Sequence, residues 1–249
     1  MHYNLLFNGC SYTNGSELQG KENDFEYLRL HRFSHVISEK MNKTYENIAL
    51  GGNSNERIVR TTIEWFESGN TCDLAIIQFT LMSRYEFISR HAAHPVNFAP
   101  GANIPLMWET EGKIDNKKDY NDAKDAYENY YKYVYNDNLG LYNFYKNLFI
   151  LEQYLEKNNI PYYFIKLAGD RAWLDSPQKN VYWRNCCKHT YSSIPAINGT
   201  ILDLEDKSNF TIDYSKDGYP ALNGKHPSEL GHQKIADYII KHYAYPVQR

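Results

Sequence analysis

Two short segments at opposite ends of the chain carry residue types that together could activate a hydroxyl. The first is Asn8-Gly9-Cys10-Ser11-Tyr12-Thr13-Asn14-Gly15, directly after a short apolar run. The second is Asn223-Gly224-Lys225-His226-Pro227-Ser228, directly before an amphipathic stretch. A serine on a strand-to-loop turn and a histidine leading into a helix can meet at one edge of an α/β sheet. An imidazole in hydrogen-bond reach takes the serine proton and makes its oxygen a nucleophile for an ester carbonyl. Each segment alone has an ordinary account. Gly-x-Ser is common in loops, phosphate-cradling ones included, and a lone loop histidine is usually a surface residue. Cys10 adds a thiol next to the serine, and Cys-His-Asn sets also perform nucleophilic catalysis.

A third segment, Glu46-Asn47-Ile48-Ala49-Leu50-Gly51-Gly52-Asn53-Ser54, follows the second apolar run. Glycine at Gly52 would let a backbone N–H approach a ligand closely. The same residues also read as a turn capping the next helix, with Ser54 or Asn53 as the cap. The two readings are compatible.

Positioning these segments requires strands that end where they begin. Five strand candidates run from Tyr3 to Asn8, Thr44 to Ile48, Leu74 to Thr80, Tyr162 to Leu167 and Thr200 to Leu204. Those in mid-chain are nearly continuous apolar runs, the pattern of strands covered on both faces. Between them lie helical periodicities at Phe33 to Met41, Asn55 to Phe66, Leu141 to Leu155 and Ser228 to Tyr243. Ser228 suits an N-cap, and Glu229 suits the positive start of the last helix. The alternation predicts an α/β, three-layer, flavodoxin-like fold. Its sheet has five parallel strands in the order 2-1-3-4-5, with helices on both faces and a site beyond the carboxyl ends of the strands. Residues 1–249 are expected to form a single domain. Residues 82–139 exceed a plain loop and are expected to form a Tyr-rich helical insertion after the third strand. The chain has 23 tyrosines, and they crowd between Tyr120 and Tyr145. They read either as packing residues of a helix or as a sugar-stacking surface.

On these blocks the chain resembles the SGNH (GDSL-like) hydrolases. Gly9-Cys10-Ser11 is similar to the nucleophile block, with Cys10 in place of the usual Asp. Asn47-x-Ala49-x-x-Gly52 is similar to the second block. His226-Pro227, followed by Gly231-His232 and an apolar helix, is similar to the last. The resemblance implies a serine esterase or acyl hydrolase without metal or organic cofactor. Ser11 would be the nucleophile, His226 the base and Asn223 the third member of a weak triad. The Ser11 and Gly52 N–H groups would hold the oxyanion. Asn53, Arg84 and Tyr12 are candidate substrate contacts. The implied substrate is a small acyl ester, acetylated sugars included.

The chain departs from the family in two places that touch catalysis. The third block's Asn, an oxyanion donor, is absent, and the third strand runs into Thr80-Leu81-Met82-Ser83-Arg84. Losing one donor costs about 3 kcal/mol of transition-state stabilisation unless Thr80 or Arg84 replaces it. Asn223 stands where the family has the triad Asp. An amide oxygen holds the imidazole tautomer but does not stabilise the imidazolium, and in serine proteases the equivalent change lowers kcat by about 10⁴. Asp213 and Asp217 are alternative acids in the preceding loop. These departures leave a second function class standing: a catalytically weak or inactive SGNH-like binding protein for a glycan or partner. A flavodoxin-like phosphate binder is a third, which leaves His226-Pro227 unexplained. Whether Arg84, Glu86, His91 or His94 touches substrate is open in the sequence: a basic group there could bind a carboxylate, and a solvated loop charge is the simpler account.

The bulk composition narrows the partners. A net charge of -3 over 249 residues gives no basic footprint for nucleic acid and no polybasic membrane patch. The apolar runs are strand-sized, so no membrane span is expected. Cys10, Cys72, Cys186 and Cys187 make neither a zinc pattern nor a disulfide framework. With strand character starting at residue 3, no signal peptide is expected, and a reduced, cytoplasmic protein is the reading. The composition sets no oligomeric state.

Overall fold

The computed structural model describes residues 1–16, 18, 24–88, 95–98, 124–168, 182–198, 201–202 and 226–243. In chain order the strands are β1 (His2–Asn8), β2 (Tyr45–Asn47), β3 (Thr71–Phe79), β4 (Tyr85–Ile88), β5 (Pro95–Phe98), β6 (Tyr162–Ala168) and β7 (Ala196–Asn198). The helices are α1 (Ser11–Asn14), α2 (Phe25–His31), α3 (Phe33–Met41), α4 (Asn55–Glu67), α5 (Asp137–Lys157) and α6 (Glu229–Tyr243).

Five strands form one parallel sheet in the order β2-β1-β3-β6-β7, which is 2-1-3-4-5 counted within the sheet. Successive residues of a strand point to opposite faces. Leu5, Phe7, Leu74, Ile76, Ile165 and Leu167 accordingly pack on one face with Phe33, Val36 and Ile37 of α3 and Ile235, Ala236 and Ile239 of α6. Leu6, Ala75, Ile77, Phe79 and Phe164 pack on the other with Ile58 and Val59 of α4 and the apolar stripe of α5. The continuous apolar runs are thus strands buried on both sides, as a three-layer α/β fold requires.

The helix ends follow local chemistry. Ser54 caps α4 by accepting from the Arg57 N–H, and Ser228 accepts from the Gly231 N–H at the start of α6. The fifth strand of the sheet is Ala196–Asn198, paired with Lys166 and Ala168. Of the expected stretch from Thr200 to Leu204, Ile201 and Leu202 lie among the described residues and the others outside them. Ile201 and Leu202 are buried, but their N–H groups go to the carbonyls of Ala196 and Ile197, outside the ladder. Their burial accounts for their apolar character.

The segment after β3 carries a helical run over 124–134, ending in a π-helical turn at Tyr130–Val134. It also carries the antiparallel hairpin β4–β5, which the sequence pattern did not suggest. Tyr127, Tyr130, Tyr131 and Tyr135 pack on one another, and Tyr85 stacks on Tyr130 at 5.0 Å. Tyr145 lies in the core, while Tyr133 is exposed. Tyr127, Tyr130, Tyr131, Tyr135 and Tyr145 are thus packing residues, and Tyr133 is not. No helix among the described residues is long and apolar enough to cross a membrane.

Candidate functional site

The carboxyl end of β1 makes the turn that carries Ser11. Cys10 has extended backbone and Ser11 begins the single-turn α1, which closes on Gly15 in the left-handed region. Gly9 has no room for a side chain. A Cβ there would lie 2.4 Å from Thr13 Oγ1 and 2.8 Å from Gln78 Oε1. Three amide side chains pin this turn, Asn8 and Gln78 buried and Asn47 half-buried. Asn8 Nδ2 donates to the Ile58 carbonyl, Thr61 Oγ1 and Thr62 Oγ1 of α4, and its Oδ1 accepts from the Gly9 N–H. Gln78 Oε1 accepts from the Cys10 N–H at 3.2 Å and the Thr13 hydroxyl at 2.9 Å. Asn47 Nδ2 donates to the Thr13 carbonyl at 2.9 Å. The turn is thus fixed to β3, α4 and the end of β2 at once.

His226 reaches this turn from the other end of the chain. Its Nε2 lies 2.8 Å from Ser11 Oγ across 215 residues of sequence. For the serine hydroxyl to donate to Nε2, a neutral imidazole must carry its proton on Nδ1. Tyr12 is buried, and its ring centroid sits 4.8 Å from that of His226. Its visible role is to support the imidazole plane rather than to meet a substrate. His232, one turn into α6, is buried and accepts from the Phe33 N–H at 3.2 Å through Nδ1. Burial, aided by the nearby His226, Arg32 and His31, lowers its pKa to about 3, so it is a neutral tie between α6 and α3.

The second segment passes over Ser11. A Cβ on Gly51 would lie 4.0 Å from Ser11 Cβ, and Gly52 has φ +80°, which favours glycine. Neither the Ser11 nor the Gly52 N–H has an acceptor among the described residues. Asn53 and Thr80 are more constrained than the sequence suggested. The Asn53 side chain is fully buried, donating to the Gly9 carbonyl at 2.8 Å and accepting from Arg57 at 2.9 Å. It braces the nucleophile turn from inside, where its buried amide is already engaged on both its nitrogen and its oxygen. The Thr80 N–H donates to Asn55 Oδ1 at 2.8 Å, so that group is not an oxyanion donor. Only the Thr80 hydroxyl, buried beside the Cys10 thiol, is left for that role.

Cys10 is fully buried, with Sγ 3.3 Å from Gln78 Nε2 and 3.9 Å from Ser11 Oγ. Burial pushes its thiol up, but the Arg84 cation, the Tyr12 N–H, Thr80 and Gln78 outweigh it and hold the thiol below its ordinary pKa. The imidazole nitrogen nonetheless meets the serine and not this thiol. Glu86 is no solvated loop charge, since Arg60 Nη2 holds it at 2.7 Å. Asn223, Asp213, Asp217, His91 and His94 lie outside the described residues. Among the described residues no cluster of three or more His, Cys, Asp or Glu could hold a metal.

Gln78, Thr13 and Asn8 escaped the sequence reading. Gln78 had a signal: one polar residue inside the otherwise apolar Leu74-Ala75-Ile76-Ile77-Gln78-Phe79 must satisfy its amide within the protein.

No protein-family model matches the sequence. No curated protein matches it either. Solved structures do. A protein described as lipolytic and of the G-D-S-L family, from Desulfitobacterium hafniense DCB-2, is 11% identical with a TM-score of 0.48, over 96% of this chain and 98% of that one. A carbohydrate esterase is 12% identical with a TM-score of 0.47, over 98% of this chain and 69% of that one. A member of the lipolytic G-D-S-L family from Veillonella parvula DSM 2008 is 11% identical with a TM-score of 0.43, over 98% of this chain and 99% of that one. These likenesses are distant, and the sheet order β2-β1-β3-β6-β7 is that of a flavodoxin-like α/β fold.

Proposed function

We propose that the protein is a serine ester hydrolase acting on small acyl esters. The observation that carries this reading is the 2.8 Å approach of His226 Nε2 to Ser11 Oγ. That distance lets the imidazole take the hydroxyl proton as Ser11 attacks an acyl carbonyl. The Ser11 and Gly52 N–H groups would donate to the developing oxyanion, with the Thr80 hydroxyl as a third donor. His226 would return its proton to the leaving alcohol. Water, or an acceptor hydroxyl, would then release the acyl group from Ser11 by the reverse sequence. The family resemblance extends the substrate range to acetylated sugars. Turnover of 4-nitrophenyl acetate by the wild type, lost in Ser11→Ala and in His226→Ala, is the expected result. Equal turnover by all three would refute it.

A second reading is favoured by the engaged Thr80 N–H and by Asn223 in the acid's place. Both reduce transition-state stabilisation, and a protein so weakened would bind esters or glycans without turning them over. Binding of an acylated sugar with no turnover would select it.

A further inference from the structure

Arg84 is a cation with no counter-ion among the described residues, near the turn that carries Ser11. It lies between the carboxyl end of β3 and the hairpin strand β4. Its Nη1 donates to the Asn53 carbonyl at 3.1 Å, and its Nε is buried with no partner among the described residues. No carboxylate among the described residues pairs with it. Glu86, two residues on, is taken by Arg60 from α4. The guanidinium is therefore anchored to the residue after Gly52. Asn53 in turn donates to the Gly9 carbonyl, so a single side chain separates Arg84 from the turn that carries Ser11. The charge is felt there, as the lowered Cys10 thiol records. A surface arginine is solvated and has little energetic consequence. This one is half-buried and tethered through Nη1, and its buried Nε has no acceptor among the described residues, so a bound anion would supply an acceptor that they do not. Its planar fork of N–H donors matches a carboxylate.

We propose that Arg84 selects esters that carry a carboxylate near the scissile bond, so that the site prefers an anionic ester to its neutral counterpart. The turnover arm of the test rests on the esterase reading; the binding arm does not. Two matched pairs separate a carboxylate on the acyl side from one on the alcohol side. They are 4-nitrophenyl hemisuccinate against its methyl ester, and 4-acetoxybenzoate against methyl 4-acetoxybenzoate. In at least one pair, wild-type kcat/KM is expected to favour the anion by about tenfold. Arg84→Gln is expected to bring that ratio to about one, and Arg84→Lys to retain part of it. A wild-type ratio near one in both pairs overturns the proposal. So does an Arg84→Gln protein that slows both members equally, because a purely positioning role leaves the ratio intact. If no ester is turned over, the esterase reading fails and binding decides. Monomethyl succinate or benzoate should then raise the melting temperature of the wild type but not of Arg84→Gln, and no rise in the wild type overturns the proposal.

Discussion

Gln78 Oε1 accepts the Thr13 hydroxyl at 2.9 Å, and this bond ties the middle strand of the sheet to the turn that presents Ser11. The same oxygen accepts the Cys10 N–H, so one buried amide holds a backbone group before the serine and a side chain after it. Gln78→Met keeps the volume and removes both acceptances. Each buried group left unpaired costs about 1–3 kcal/mol, and a displaced nucleophile loses rate in proportion to its misalignment. Urea unfolding is expected to show a loss of about 2–4 kcal/mol. Ester kinetics are expected to show a fall of about tenfold or more in kcat with little change in KM.

Gly9→Ala tests the crowding of that turn. The added Cβ would meet Thr13 Oγ1 at 2.4 Å and Gln78 at 2.8–2.9 Å. Overpacking of this kind costs about 1–3 kcal/mol. Thr13→Ala removes the nearest clash. The double variant Gly9→Ala/Thr13→Ala is therefore expected to be more stable than the two single losses summed, by about 1 kcal/mol in a double-mutant cycle.

Acidification should destabilise the fold through His232. Its folded pKa, near 3, lies below the unfolded value of about 6.5, so the unfolded chain binds the extra proton first. Stability is then flat above about pH 6.5 and falls as the pH drops toward 3. Between pH 7 and pH 5 the loss from this group is about 2 kcal/mol. Urea midpoints at the two pH values should show it in the wild type, and His232→Gln should lack that part of the pH dependence.

Asn223→Asp addresses the acid directly. A carboxylate stabilises the imidazolium that the amide only orients, an effect worth about 10⁴ in kcat in serine proteases. Esterase assays are expected to show the variant faster than the wild type by about 10² or more. An unchanged rate would mean that another carboxylate already serves His226.

Much of the sheet was legible because its signal is local. A buried strand such as Leu74 to Phe79 announces itself by apolar continuity, and the serine caps at Ser54 and Ser228 by the chemistry of an unsatisfied N–H. The meeting of Ser11 with His226 was legible for a different reason: parallel topology sends both ends of the chain to one sheet edge. The misreadings share a cause as well. Ile201 and Leu202 extend the apolar pattern past β7 because they are buried, while their N–H groups turn back to Ala196 and Ile197. Asn53 and Thr80 look available because sequence shows a polar group but not the partner that occupies it. The hairpin Tyr85–Ile88 with Pro95–Phe98 lacks a strong alternating pattern, and it is fixed partly by a distant contact, Asn97 Oδ1 accepting from the Ser54 N–H.

The central claim is that His226 activates Ser11, and covalent labelling tests it most directly. The wild type is to be treated with a fluorophosphonate and the adduct mapped by mass spectrometry of its peptides. The expected result is a single adduct on Ser11, absent in Ser11→Ala and slowed at least a hundredfold in His226→Ala. An adduct elsewhere, or labelling of Ser11 at the same rate without His226, would contradict the account.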